Sequence, residues 1–220
     1  MQVVPVHPAD PKPARIDAAC EVLCAGGVVG LPTETFYGLA VDSGQAGAIE
    51  QLNRLKVKAA DSPVLLLAAD MGQVEGVCAD PPPAFSVLAA AFWPGPLTLV
   101  LPAAPGVPTQ VTGGRASVGV RVPGLVLPRK IAAALGRPIT GVSANIHGNP
   151  PPRTAAEVAE SFPEGLELLL DGGPTQGGAP STVVDLCGAH PRVLRRGIVR
   201  QNALRHFLPD LEEVSASGAL

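Results

Sequence analysis

Residues 33–37 hold the side chains best suited to bind a small molecule. Two threonines, a glutamate and a tyrosine occur within these five residues, directly after an apolar, β-branched run that ends at Pro32. Pro32 cannot donate to a sheet ladder, so it marks the end of a predicted strand. Open α/β sheets bind ligands outside the ends of their strands. The segment is therefore a candidate ligand-binding loop, although its threonine and glutamate side chains are equally typical of a helix cap.

Other groups combine cations with neutral hydrogen-bond donors. Lys56 and Lys58 lie at the C-terminal end of a predicted helix, where cations also suit the helix dipole. Arg121 alternates with apolar residues on a predicted strand, and Ser117 points to the same face. A buried arginine on such a strand requires an anionic partner. A serine and an asparagine at positions 143–145 follow another predicted strand.

Ser181 and Arg195 add a further hydroxyl and a fixed positive charge near the C-terminal end of the chain. Each group has a structural explanation when it is taken alone. Together they supply cations and neutral donors with few carboxylates facing them. This profile fits an anionic ligand such as a nucleotide or a carboxylate.

The common nucleotide and metal motifs are absent from the sequence. No Gly-Lys pair occurs, which excludes a P-loop, and no G-x-G-x-x-G run follows a strand. The four histidines are isolated, and the four cysteines have no zinc-binding spacing. We therefore expect no histidine-based metal site, and the cysteines favour a reducing, cytoplasmic location.

The composition predicts one large α/β domain. The chain has 220 residues, of which 46% are hydrophobic, and no apolar run approaches the length of a membrane span. A net charge of −3 and an aromatic content of 3% disfavour binding to nucleic acid through a basic, base-stacking surface.

Hydrophobic periodicity predicts helices and strands that alternate early, with strands clustered late. Predicted helices cover residues 15–25, 46–58, 70–78, 83–92, 125–136, 154–161 and 200–207, and predicted strands after the first cover residues 63–67, 97–101, 117–122, 139–142, 167–171, 181–186 and 192–195. Residues 1–13 should run extended, residues 14–208 should form the domain, and residues 209–220 should be a flexible tail. The order favours a mixed, twisted sheet flanked by helices.

Five stretches occur in the order typical of the YrdC/Sua5/TsaC family, which the chain resembles over roughly residues 14–200. They are LPTETFYGL at 31–39, FWPGPLT at 92–98, VGVRVP at 118–123, SAN at 143–145 and PSTVVD at 180–185. The resemblance implies a YrdC-like twisted mixed sheet with a concave, positively charged cavity. It also implies a nucleotidyltransferase that makes threonylcarbamoyl-AMP and pyrophosphate from L-threonine, bicarbonate and ATP.

The same resemblance implies partners and a cofactor. The product would feed the t6A37 modification of tRNA, which a downstream transferase complex completes. ATP would enter with Mg²⁺ held by its phosphates and water rather than by protein carboxylates. The resemblance allows a contact with tRNA and implies no membrane association.

Residue roles are also implied by the matching motifs. Thr33, Arg121 and Ser181 would bind L-threonine, with Arg121 on its carboxylate. The residues expected around ATP are Lys56, Lys58, Ser117, Ser143, Asn145 and Arg195. Lys56 and Lys58 would act electrostatically in catalysis, since no side chain is an obvious general base.

Two positions depart from the family pattern. Lys58-Ala59 replaces the usual Arg-Pro, so the positive charge is kept but the bidentate fork of arginine is lost. Leu67 stands where longer Sua5-type members have histidine, so the chain aligns with the short bacterial TsaC-like form, and we expect no separate C-terminal domain. Three alternatives stay open: a non-catalytic RNA-binding or ribosome-maturation module, a carbamoyl-adenylate domain as in hydrogenase maturation proteins, and a degenerate, non-catalytic family member.

Overall fold

The computed structural model describes residues 1–57, 59, 61–146 and 148–212. The strands are β1 (Gln2–Pro5), β2 (Val29–Pro32), β3 (Tyr37–Ala40), β4 (Leu66–Leu67), β5 (Leu97–Pro102), β6 (Ser117–Arg121), β7 (Ile139–Thr140), β8 (Val142–Ser143), β9 (Leu168–Asp171), β10 (Thr182–Asp185) and β11 (Arg192–Arg195). The helices are α1 (Pro13–Cys24), α2 (Ala46–Leu55), α3 (Met71–Glu75), α4 (Pro83–Phe92), α5 (Thr109–Thr112), α6 (Val126–Leu135), α7 (Ala155–Ser161) and α8 (Gln201–Arg205).

The strands form two mixed sheets. The first has the order β1-β9-β2-β3-β8, and the second has the order β11-β10-β5-β6-β4-β7. Each sheet contains both parallel and antiparallel pairs, so the predicted mixed α/β fold is confirmed. The division into two sheets was not predicted.

Gly141 takes the chain from one sheet to the other, between β7 and β8. A Cβ atom at this position would lie 2.8 Å from both methyl carbons of Leu67, which is fully buried. Only glycine lets the crossing backbone approach Leu67 this closely. The two sheets therefore meet at this point.

Apolar side chains cover both faces of the first sheet and one face of the second. Helices α1 and α6 pack together on one face of the first sheet, where Leu23, Leu31, Ile131 and Leu168 are buried in one cluster. The second sheet buries Leu97, Leu99 and other apolar residues of one face in a larger cluster. The opposite face of the second sheet is left to carry polar groups.

Several predicted elements differ from the observed ones. Strand β3 and helix α5 were not predicted, and β4 covers only the last two residues of the strand predicted at 63–67. The helix predicted at 154–161 is observed as α7 and begins with a capping box, in which the Thr154 side chain accepts from Glu157 N and the Glu157 carboxylate accepts from Thr154 N. Short elements between proline and glycine leave little periodicity to detect.

The two ends of the chain pack onto the fold within the described residues. In the segment expected to run extended, β1 pairs in parallel with β9 at the edge of the first sheet. Leu211 is buried, and Val193 N donates to Glu212 O, while the rest of the predicted tail, 213–220, lies outside the described residues. None of the helices of the described chain has the length and apolar character needed to cross a membrane.

Tyr37 joins the start of β3 to the turn after β9. Its hydroxyl donates to Gly173 O at 2.8 Å and accepts from Gly172 N at 3.1 Å, and the side chain is fully buried. Burial, together with the nearby Asp171 carboxylate, raises the pKa of Tyr37 to about 12. The phenol is therefore a neutral, structural group at physiological pH.

We expect Gly141→Ala and Gly47→Ala to change stability in opposite directions. Alanine at 141 would overlap Leu67, and overpacking of this kind costs about 1–3 kcal/mol. Gly47 lies exposed in α2 with no atom near its Cβ direction, so alanine there should stabilise by up to about 1 kcal/mol. Urea unfolding of both variants measures the two changes, and equal signs would contradict this account of Gly141.

Tyr37 should titrate far above an ordinary tyrosine. It is the only tyrosine in the chain, so the near-ultraviolet absorbance of tyrosinate reports on it alone. The folded protein should show a midpoint about 12, and the urea-unfolded chain should titrate near the ordinary value of about 10. Since the folded pKa is the higher, the stability from this group is complete below pH ~10 and is lost as the pH rises towards ~12. A folded-state midpoint near 10 would show that the phenol is not buried.

Candidate active site

A cavity of about 900 Å³ lies between the two sheets. The polar face of the second sheet forms one wall, because its strands alternate: Val118 and Val120 of β6 point into the core, while Ser117, Gly119 and Arg121 line the cavity. The opposite wall comes from the loop between β2 and β3 and from the ends of β3 and β8. The volume is in the range of pockets that enclose small molecules.

A β-bulge between β10 and β11 brings two further arginines to this face. Arg195 pairs with Val183 and Arg192 pairs with Asp185, and the register shifts between the two pairs. Residues three apart on a regular strand point to opposite faces. The extra residue of the bulge therefore turns both Arg192 and Arg195 towards the cavity, which both of them line.

Six of the nine candidate residues come together in the cavity wall. They are Thr33, Ser117, Arg121, Ser143, Ser181 and Arg195. Lys56 and Asn145 lie next to the cavity, and Lys58 lies outside the described residues. The structure thus gathers residues that are far apart in sequence, and their individual roles stay predictions.

Arg121 is the most buried cation of the lining. Its Nη1 donates to Glu34 Oε1 at 3.1 Å, and the two side chains are 4% and 17% exposed. Burial lowers the pKa of Arg121, and the Glu34 charge opposes this shift. Arg121 Nε is buried and has no hydrogen-bond partner among the described residues. The Nε edge of the guanidinium is therefore available for a carboxylate ligand, while Glu34 fixes the Nη1 end.

Arg195 is tied to Ser181 and is more exposed than Arg121. Its Nε donates to Ser181 O at 3.1 Å, and its Nη2 donates to Ser181 Oγ at 2.9 Å. The Ser181 hydroxyl lies 3.0 Å from Thr98 Oγ1 in a buried contact. Burial, and then the nearby charge of Arg121, lower the pKa of Arg195. The two guanidinium groups are therefore close enough to repel each other.

Thr33 belongs to a tight turn rather than to a helix cap. Its hydroxyl donates to Phe36 O at 2.8 Å, accepts from Thr35 N at 3.2 Å and lies 2.9 Å from Thr35 Oγ1. Thr33 and Thr35 are both buried, and both line the cavity. The turn holds a pair of hydroxyls opposite Arg121.

Lys56 ends α2 and is buried. Its ammonium group donates to Ser143 O and, at 2.7 Å, to Asn145 O. The Asn145 side-chain amide donates to Ile146 O and Asn149 O. These contacts hold the segment after β8 against α2, so both residues shape the wall that carries the Ser143 hydroxyl.

Sequence reasoning missed several charged residues of the lining. Among the described residues the wall also carries Arg115, Arg192, Asp61 and Asp185, which gives four arginines and two aspartates in all. Arg115 precedes Ser117 by two residues, so strand alternation could have found it. Arg192 could not be assigned to the cavity by alternation, because the bulge changes the face to which it points. The pairing of Glu34 with Arg121 is long-range and leaves no local signal in the sequence.

The donor set of the described chain does not offer a metal site of its own. No cluster of three histidine, cysteine, aspartate or glutamate side chains occurs among residues 1–57, 59, 61–146 and 148–212. Asp185, one of the two lining aspartates, accepts from Arg192 Nη2 at 3.4 Å and from Cys187 N at 2.9 Å. A divalent ion in the cavity would therefore take most of its ligands from a bound substrate.

Comparison with known proteins places this geometry in a family. The family profile Sua5/YciO/YrdC, described as "Telomere recombination", matches residues 21–197. The chain is 40% identical over 183 residues to the threonylcarbamoyl-AMP synthase of Pyrococcus abyssi, a match covering 83% of this chain and 54% of that protein. It is 35% identical over 184 residues to the threonylcarbamoyl-AMP synthase of Bacillus subtilis, covering 83% and 53%.

A solved structure agrees with the sequence relatives. The crystal structure of P. abyssi Sua5 complexed with L-threonine superimposes with a TM-score of 0.93 at 34% identity, covering 100% of this chain and 66% of that one. The chain spans about half the length of the two sequence relatives. The profile covers most of the chain, and the chain therefore belongs to the Sua5/YciO/YrdC family.

Proposed function

We propose that this chain is a threonylcarbamoyl-AMP synthase, a nucleotidyltransferase that uses L-threonine, bicarbonate and ATP and releases pyrophosphate. The observation that carries the proposal is the cavity that gathers Arg121, Arg195 and four hydroxyl-bearing candidate residues. The relatives named threonylcarbamoyl-AMP synthase and the L-threonine complex of P. abyssi Sua5 support the same activity.

L-Threonine would bind at the Arg121 end of the cavity. Its carboxylate would accept from the free Nε edge of Arg121, which is buried and lacks another partner among the described residues. Such charge-assisted, bidentate contacts fix orientation as well as charge. The hydroxyls of Thr33 and Ser181 line the same cavity and would complete the subsite.

ATP would occupy the rest of the cavity, with Arg195 and the exposed Arg115 as its cations. Ser117 and Ser143 offer hydroxyls there, and Lys56 and Asn145 hold the wall behind Ser143. Lys58 is proposed to join this group from its sequence position beside Lys56. ATP is proposed to enter as its Mg²⁺ complex, with the ion carried by the phosphates.

The chemistry joins two anions. The threonine amine forms a C–N bond with CO₂ and loses a proton, or forms it with bicarbonate as a C–O bond breaks and water leaves; either route gives an N-carboxylate. One oxygen of that carboxylate attacks the α-phosphorus of ATP, the bond to the β-phosphate breaks, and pyrophosphate leaves. Two anions at contact repel by several kcal/mol at an effective dielectric constant of about 20, so nearby cations lower the barrier. Positioning and charge screening are the proposed contributions of the arginines and lysines.

The product would pass to the transferase complex that completes t6A37 modification of tRNA, with the reaction placed in the cytoplasm. The RNA-binding alternative is not favoured, because the sequence relatives are named as synthases rather than as RNA-binding modules. A contact with tRNA at the cavity rim remains compatible with the synthase.

Pyrophosphate release gives the direct test of this function. With ATP and Mg²⁺, release should require both L-threonine and bicarbonate, and should fall to background when either is omitted. A coupled pyrophosphate assay on the full chain measures it. Bound ATP without any threonine-dependent release would contradict the proposal and favour a degenerate family member.

Arg121→Ala and Arg115→Ala should separate the two substrates. Removing Arg121 takes away a charged, buried carboxylate partner, so the affinity for L-threonine should fall at least ~10-fold while ATP binding changes little. Removing the exposed Arg115 should lower the affinity for ATP and leave the affinity for L-threonine unchanged. Calorimetric titration of each substrate checks both variants, with thermal unfolding as the folding control. Unchanged threonine affinity in a folded Arg121→Ala variant would disprove the carboxylate role.

A further inference from the structure

Two arginines of the cavity have carboxylate partners, and two do not. Glu34 pairs with Arg121 at 3.1 Å, and Asp185 pairs with Arg192 at 3.4 Å. Arg115 and Arg195 form no ion pair with any carboxylate of the described chain. The proposed reaction brings a carboxylate and a polyphosphate into this one cavity, so each must reach its own arginine.

Arg121 and Arg195 lie in the same row across the second sheet. Arg195 pairs with Val183, and Val183 pairs with Thr98. The antiparallel ladder that joins Leu99 to Val120 places Thr98 beside Arg121 when it is continued by one residue. The charge of Arg121 also helps to lower the pKa of Arg195, so the two positive charges interact across the row. By position alone, a phosphate could bind either of them.

We propose that Glu34 sorts the two substrates by charge, an inference that rests on the proposed function. Glu34 neutralises Arg121, so this end of the cavity favours a zwitterionic amino acid and repels a phosphate polyanion. Arg195 keeps its full charge and takes the polyphosphate. Glu34 is a positioning and specificity residue, since it acts through Arg121 and does not itself line the cavity.

The atoms of the pair fit this role. Glu34 uses one carboxylate oxygen on Arg121 Nη1, and its Oε2 is buried with no hydrogen-bond partner among the described residues. A phosphate on the Nε edge of Arg121 would therefore lie near a carboxylate that has one buried oxygen without a hydrogen-bond partner. A threonine carboxylate brings less charge, and its own ammonium group offsets the repulsion. Like charges brought together in this way are a common source of specificity.

The test compares Glu34→Gln with Asp185→Asn on the full chain. Both variants replace a carboxylate by its amide, and each carboxylate is paired with an arginine of the cavity wall. Glutamine can still accept from Arg121 Nη1 through its carbonyl oxygen, so the guanidinium keeps its orientation while the negative charge is lost. Asp185→Asn removes the same charge beside Arg192, in the neighbouring row.

Calorimetry of L-threonine with and without saturating pyrophosphate supplies the readout. In the unmodified protein and in Asp185→Asn, pyrophosphate should change the Kd for threonine by less than ~3-fold, because the two ligands occupy different arginines. In Glu34→Gln, pyrophosphate should raise that Kd at least ~10-fold, because it now also occupies Arg121. If Glu34 had only a structural role, the Glu34→Gln change would lower the affinity for L-threonine by the same factor with and without pyrophosphate.

Three outcomes would overturn the inference. In the first, thermal unfolding shows that the Glu34→Gln variant is folded, and pyrophosphate and threonine still bind to it independently. The second needs no variant. If pyrophosphate competes with threonine on the unmodified protein, Glu34 does not keep the two ligands on different arginines. Failure of the unmodified protein to bind either ligand would overturn the proposed function as well, so the two failures are distinguishable.

Discussion

A buried guanidinium needs an anionic partner to offset its lost hydration, and this requirement connects the two halves of the fold. Arg121 is on β6 of the second sheet, and Glu34 is on the loop between β2 and β3 of the first. Removing one partner of such a pair leaves an uncompensated charge that costs about 3–5 kcal/mol. The ion pair therefore fixes the distance between the sheets on one side of the cavity. Gly141 fixes it on another, where the sheets touch.

Arg121 and Gly141 both line the cavity, where the second sheet presents a polar face. Its other face already buries Leu97, Leu99 and Val120 in the main core. A mixed sheet with one buried face is stable with its second face solvated. Hydrogen bonds to Ser181 and Glu34 satisfy Thr98, Arg195 and the Nη1 atom of Arg121. Arg121 Nε and Glu34 Oε2 are buried without a hydrogen-bond partner among the described residues.

Local patterns could be predicted from the sequence, and long-range geometry could not. The alternation that placed Ser117 and Arg121 on one face needed only β6 itself, and the capping box at Thr154 needed only four residues. Strand β3 was missed because Tyr37 was interpreted as part of a ligand loop, whereas its phenol is tied to Gly172 and Gly173 some 135 residues away. The two sheets meet where Gly141 contacts Leu67, and no local sequence pattern predicts this long-range contact.

The protonation states of the lining restrict how the cavity can act on a reaction. Arginine cannot serve as a base near neutral pH even where burial lowers its pKa, and Tyr37, with a pKa of about 12, keeps its proton. Asp185 accepts from Arg192 Nη2 and from Cys187 N, so both of its carboxylate oxygens are already occupied. A cavity built in this way is suited to holding anions side by side in fixed orientation, which is what the proposed adenylation of a carbamate requires.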